Sequence, residues 1–172
     1  RSRGLGDVYK RQVVAYHNDP KKTAAARSPQ GYSTMGDLGY VDADGYLFLT
    51  GREAFTIISG GVNVYPREVE EAISTDSRVA EAAVFGSPDN DLGEAVTAVV
   101  ELQRDYEPTL DIAKMIRERL RACLSPHKLP RKLAFVAQMP LTDSGKIHKA
   151  RLRDTWESHC DHVYERTALD EK

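Results

Sequence analysis

Lys146 lies in the stretch Pro140-Leu-Thr-Asp-Ser-Gly-Lys-Ile-His-Lys149. A turn of small residues delivers a single cation, and a basic run with helical character follows. A lysine ammonium is a compact, strongly hydrated point charge on a flexible stem. It suits an oxyanion that must be met at one step of a reaction and released at the next. The loop is not a Walker-type phosphate cradle. That motif needs Gly five residues before the Gly-Lys pair, where Pro140 stands, and Ser or Thr after the Lys, where Ile147 stands. Spacing alone favours a solvated turn before a surface helix, so the rest of the chain must decide. His148 reads as a solvated helix residue rather than a general base.

The composition narrows the classes of function. The chain has 172 residues, enough for one ordinary domain or a small domain plus part of another, and 41% of them are hydrophobic. The 24 basic and 26 acidic residues leave a net charge of −2, so no basic excess points to nucleic acid. No apolar run has membrane-spanning length, and no apolar core of a secretion signal opens the chain. Cys123 and Cys160 have neither a CxxC partner nor framework spacing, and read as reduced thiols of a cytoplasmic protein. His159-Cys160-Asp161-His162 has metal-ligand residue types, but no second cluster completes a tetrahedral site, so no metal is expected there. Residues Arg1 to Gln12 follow neither strand nor helix periodicity and read as a non-native leader.

The elements that must position Lys146 can be read in order. Asp19-Pro20 opens a short helix over Lys21 to Arg27, and Gly31 to Gly36 is loop. Tyr40-Val41 and Tyr46 to Thr50 flank Asp42-Ala-Asp-Gly45, predicting a β-hairpin. Thr56 to Ser59 is a short strand ending at Gly60-Gly61, where backbone can approach a ligand closely. Val62 to Tyr65 is extended, and Pro66 opens a helix with Val69, Ala72 and Ile73 on its apolar face. Ala82 to Phe85 and Ala95 to Val100 are apolar on both faces and predict buried central strands, with Gly86 to Gly93 as the loop between. Thr109 caps a helix whose apolar positions include Ile112, Ala113, Ile116, Leu120 and Cys123. Leu133 to Val136 is a last strand, and Lys149 to Trp156 is helical. The result is an α+β fold, a central three-stranded sheet flanked by helices and a β-hairpin. It makes a compact unit of about one hundred residues.

Three segments then occur in one order. Tyr32-Ser-Thr-Met-Gly-Asp37 comes first. Gly51-Arg52 leading to Ile58-Ser-Gly-Gly-Val-Asn-Val-Tyr-Pro-Arg-Glu68 comes second, and the Lys146 loop third. Together they resemble the adenylate-forming superfamily of acyl- and aryl-CoA synthetases, peptide-synthetase adenylation domains and firefly luciferase. Ile-Ser-Gly-Gly-x-Asn-x-Tyr-Pro and Tyr16-His-Asn-Asp-Pro20 are similar to the acyl-CoA synthetase branch. The resemblance runs from about Val13 to Arg153. It implies that residues 13–51 end a large AMP-binding domain, that 52–153 form its C-terminal lid, and that 154–172 are a polar tail. It also implies roles. Asp37 would accept hydrogen bonds from the ATP ribose, and Arg52 would stand beside the nucleotide. Lys146 would bridge the substrate carboxylate and the α-phosphate, and Gly60 and Gly61 would line a tunnel for coenzyme A. ATP, Mg2+, coenzyme A and a small carboxylic acid are the implied cofactors and substrates, and the missing N-terminal domain is the implied partner.

Two departures accompany the resemblance. The hinge position two residues after the Arg is usually Asp or Lys and here is Ala54, followed by Phe55. Ala54 can absorb a backbone rotation but supplies no charged latch. The phosphate loop, the adenine-binding segment and the acyl pocket of the large domain are not in this chain, so the fragment by itself is expected to be inactive. Two other readings stay open: a non-catalytic module that binds a nucleotide or partner, and an adenylation domain that loads a carrier protein.

Overall fold

The computed structural model describes residues 15–29, 32–34 and 36–170. The leader, the start of the resemblance at Val13, Gly31 of the expected loop and Met35 of the first segment lie outside the described residues. Asp19 caps α1 (Pro20–Ala25) by accepting from Lys22 N–H at 2.9 Å. The expected hairpin is β1 (Asp37–Val41) with β2 (Leu47–Arg52), antiparallel. Asp42 organises its turn: the carboxylate accepts from Asp44 and Tyr46 N–H at 3.0 and 2.8 Å. A short 3₁₀ turn, Glu53–Phe55, leads into β3 (Ile57–Ser59) and β4 (Val62–Val64). Then follow α2 (Pro66–Ser74), β5 (Val79–Asp89), β6 (Gly93–Leu102) and α3 (Leu110–Cys123). The chain closes with β7 (Lys132–Phe135), α4 (Lys149–His159), β8 (His162–Glu165) and α5 (Arg166–Asp170).

The three expected central strands form the middle of a larger sheet. β6 pairs antiparallel with β5 and parallel with β7. β8 adds to the far side of β7, and the β3–β4 hairpin meets β6 at Ser59↔Gly93, making six strands. Alternation along the strands splits the core in two. Val84, Val96, Ala98, Val100, Leu133 and Phe135 face α2 and α3, with Ile73, Ile116 and Leu120 packed on them. Ala83, Phe85, Val99 and Ala134 face the opposite way, onto Leu152 and Trp156 of α4. Helices on both faces explain why β5 and β6 read as continuous apolar runs.

Three expectations need correction. Gly86 to Asp89 is strand, not loop, because β5 stays in register with β6 down to Asp89↔Gly93. Only residues 90–92 form the connection. Residues 154–172 were expected as a polar tail, yet Trp156 and Leu169 are 5% exposed and β8 pairs with β7 along its length. Few apolar anchors among many charges hide that packing from a reading of composition. Cys123 is exposed, since the apolar face of α3 ends at Leu120.

Candidate functional site

Lys146 sits on a stiff loop. Leu141 and Ile147 bridge across it, Thr142 N–H donates to Lys146 O at 2.7 Å, and His148 N–H donates to Pro140 O at 2.7 Å. Lys146 N–H donates to Thr142 Oγ1 at 3.2 Å. Gly145 supplies the left-handed backbone (φ +77°) that turns the chain immediately before the lysine. His148 caps α4, its Nδ1 accepting from Arg151 N–H at 3.2 Å. The Lys146 ammonium is exposed and has no ion-pair partner among the described residues. The loop therefore holds the backbone while the charge meets no carboxylate among the described residues.

Gly60 and Gly61 form the two-residue turn of the β3–β4 hairpin, with φ +57° and +79°. Two successive positive φ values are what the tightest hairpin turn demands. Gly60 N–H donates to Leu92 O at 2.9 Å, and a Cβ at Gly60 would come within 3.2 Å of Leu92 Cδ2. The connection that supports this turn is organised by Asp89, whose carboxylate accepts from Asp91 and Leu92 N–H at 3.0 Å each. Those donors, Leu92 first, hold the Asp89 carboxyl below the usual carboxylate range.

Asp37 and Arg52 face each other across the β1–β2 pair, with Arg52 Nε 3.0 Å from Asp37 Oδ1. Ala54 lies in the adjoining 3₁₀ turn, which is held by Glu53 N–H donating to Gly36 O and Thr56 N–H donating to Glu53 O. A small cleft brings this turn beside the start of α4: Ala54 and Phe55 line it together with Phe85, Gly86, Glu94 and Lys149. Hydrogen bonds and ion pairs join Asp37 to Arg52. None joins that pair, the Gly60–Gly61 turn and Lys146 to one another among the described residues.

Residues 68–146 match the AMP-binding enzyme C-terminal domain. That match identifies the domain, and the proteins this chain is similar to are CoA ligases and synthetases. It is 39% identical over 140 residues to 4-hydroxybutyrate–CoA ligase 1 of Metallosphaera sedula, covering 81% of this chain and 24% of the ligase. The fold superposes on ATP-bound MatB from Rhodopseudomonas palustris with TM-score 0.75 and 35% identity, over 84% of this chain and 28% of that one. It also superposes on o-succinylbenzoate CoA synthetase of Bacillus subtilis with its acyl-adenylate intermediate, with TM-score 0.71 and 32% identity, over 82% and 28%. The chain spans about a quarter of the length of the ligase it matches.

Within this C-terminal domain, Lys146 is the last matched residue. Asp37, Arg52, Ala54, Gly60 and Gly61 precede the match, and β8 and α5 follow it. Sequence reasoning missed the side chains that hold the frame. Glu70 on α2 meets Lys149 on α4 at 2.6 Å, and its Oε1 also accepts from Val84 N–H at 2.7 Å. Glu94 accepts from Ile58 N–H at 2.8 Å, steadying the strand before Gly60. Arg117, 4% exposed, donates to Asp170 and to Pro130 O. Arg117, then the further charges of Arg166 and Arg121, hold the Asp170 carboxyl down to about 2. Burial pushes the Cys160 thiol up to about 11, which makes it a poor nucleophile. Of these residues, Lys149 left a mark in the sequence: a cation at the first position of a helix opposes the helix dipole.

Proposed function

We propose that this chain is the C-terminal part of an ATP-dependent acyl-CoA synthetase. In that reading residues 13–51 end the large AMP-binding domain and residues 52–153 are the mobile lid. The observation that carries it is the Lys146 ammonium, without an ion-pair partner among the described residues, on a backbone-locked loop at the end of the matched domain. In the first half-reaction a substrate carboxylate attacks the α-phosphorus of ATP, giving acyl-adenylate and releasing pyrophosphate. Lys146 contributes a cation positioned in advance at the oxygens where charge develops. Such preorganised charge acts most strongly in a site closed to water. In the second half-reaction the coenzyme A sulfur attacks the acyl carbon, AMP leaves, and the thioester forms. Gly60 and Gly61, without side chains, keep the path of the thiol open. Asp37 accepts from the ribose hydroxyls, which requires it to share or give up Arg52.

Ala54 is our hinge. It sits in a short 3₁₀ turn between a strand of the hairpin and a strand of the lid, the kind of terminal segment that absorbs domain rotation. The apolar hairpin supports the domain division: Tyr40, Val41, Tyr46, Leu47, Phe48 and Leu49 are 45–68% exposed. A longer protein would cover that face with the rest of its large domain. Mg2+ is part of the reading as a companion of ATP, but among the described residues no group of three or more His, Cys, Asp or Glu could hold it, so no step here runs through it. No helix among the described residues is long and apolar enough to cross a membrane. Cys123 and Cys160 are unpaired, which supports a reducing compartment, in our reading the cytoplasm.

The test is to join this chain to its missing domain and follow pyrophosphate release with a carboxylic acid and ATP. Lys146→Ala is expected to lower adenylate formation at least 100-fold, the scale of losing one preorganised charge donor. Substantial adenylation by that variant would remove the role from Lys146.

A further inference from the structure

We propose that Glu70 is a positioning residue that sets the Lys146 loop for adenylation, an inference that rests on the role of Lys146 proposed above. The starting point is an electrostatic conflict. Lys149 is the first residue of α4, and no acidic residue stands in that helix's first turn. A helix N-terminus carries partial positive charge and disfavours a cation. The conflict is resolved from another element: Lys149 Nζ lies 2.6 and 2.8 Å from the two oxygens of Glu70 on α2. Both side chains are mostly buried, 25% and 16% exposed, so solvent weakens the pair less than it would on an open surface.

Glu70 is itself held. Its Oε1 accepts from Val84 N–H at 2.7 Å. Among the described residues β5 pairs only with β6, so Val84 presents that N–H on the free edge of the sheet. An edge donor needs a partner, and the carboxylate supplies one while reaching α4 on the opposite face. Three elements thus meet at one side chain.

Their order along the chain gives the contact its consequence. α2 begins two residues after β4, directly downstream of the Gly60–Gly61 turn. Lys149 comes three residues after Lys146, and the intervening segment is pinned by Ile147 to Leu141 and by His148 to Pro140. A shift at Lys149 is therefore carried to Lys146 rather than absorbed. Glu70 fixes the helix that follows one substrate loop against the helix that follows the other. A misplacement of about 1 Å at a reacting group can cost about 100-fold in rate.

Glu70→Gln isolates the effect, because the amide oxygen still accepts from Val84 N–H while the charge is gone. In the protein joined to its missing domain, we expect kcat for adenylate formation to fall about 10- to 100-fold with KM for ATP nearly unchanged. Thioester formation from preformed acyl-adenylate should stay within about 2-fold. Lys149→Gln removes the same ion pair from a partly exposed position and should reproduce the split if Glu70→Gln folds poorly. Lys149→Arg should restore most of the rate. Wild-type adenylation by both Gln variants, beside an inactive Lys146→Ala, overturns this proposal alone. So does an equal loss in both half-reactions, which would mark a general loss of structure. Full adenylation by Lys146→Ala overturns the role of Lys146 and this proposal with it.

Discussion

The β1–β2 and β5–β6 hairpins are both antiparallel ribbons rich in apolar residues, yet they stand in opposite relation to water. From Ala95 to Val100 every residue of β6 is buried, with helices on both faces of its sheet. In β1–β2 no residue is buried, and Tyr40 stacks on Phe48 at 5.2 Å in the open. The difference is one of company rather than strand propensity. A two-stranded ribbon cannot bury a face by itself. β5–β6 finds its partners in α2, α3 and α4, whereas among the described residues nothing buries the hairpin's apolar side chains. Large exposed apolar patches mark interaction surfaces.

That contrast can be broken from the lid side first. Trp156→Ala should cost about 3–5 kcal/mol of unfolding free energy, read as a lower midpoint in urea denaturation. Trp156 is 5% exposed, tilted against Phe85 at 6.3 Å, with Lys132 over its ring. A loss below about 1 kcal/mol would place α4 outside the cooperative unit.

Asp170→Ala should come next, at about 2–3 kcal/mol. Removing one partner of a fully buried pair costs more, but the Asp170 side chain is 28% exposed while the Arg117 side chain is 5% exposed. The effect has a defined pH window. Arg117 lowers the folded-state pKa of Asp170 to about 2, against about 3.9 in an unfolded chain. Its stabilisation is therefore complete above that unfolded value and fades as pH falls through about 2. The difference between wild type and variant, followed by denaturation at successive pH values, should shrink over that interval. A difference that stayed constant from pH 5 to 2 would detach the clasp from the carboxylate's charge.

The smallest effect belongs to the hairpin. Phe48→Ser should change the stability of this chain by no more than about 0.5 kcal/mol, since Phe48 is 45% exposed. Joined to the large domain proposed above, the same substitution should cost about 1.5–3 kcal/mol, the scale of burying one large apolar side chain. Equal effects in both settings would erase the distinction between the two ribbons.

How much of this was legible depended on how local the cause was. The helix starts at Pro20 and Pro66, the Thr109 cap and the Asp42 turn are set by residues within a few positions of one another, and each stood plainly in the sequence. The buried strands were legible too, because helices on both faces require apolar residues at successive positions. The end of β5 was not. Gly86, Ser87, Pro88 and Asp89 carry turn chemistry, but Val96, Ala95, Glu94 and Gly93 of β6 hold them in the ladder, and Ser87 meets Thr97 at 2.7 Å in the core. The last segment was hidden for a similar reason. Its charges have partners distant in the chain, Asp170 on Arg117 among them.

The sequence by itself carried the family resemblance, because Lys146, Gly60–Gly61, Asp37 and Arg52 stand out by type and order along the chain. It also determined that Lys146 follows a turn, since Gly145 and Thr142 act over three or four positions. Only the tertiary structure decided which charges are answered. Glu70 and Lys149 are 79 residues apart and meet at 2.8 Å. Arg117 and Asp170 are 53 apart, and Lys146 alone of these cations is left without a carboxylate among the described residues. Ion pairing depends on distances of a few ångströms between elements on different layers, and no periodicity along the chain encodes them.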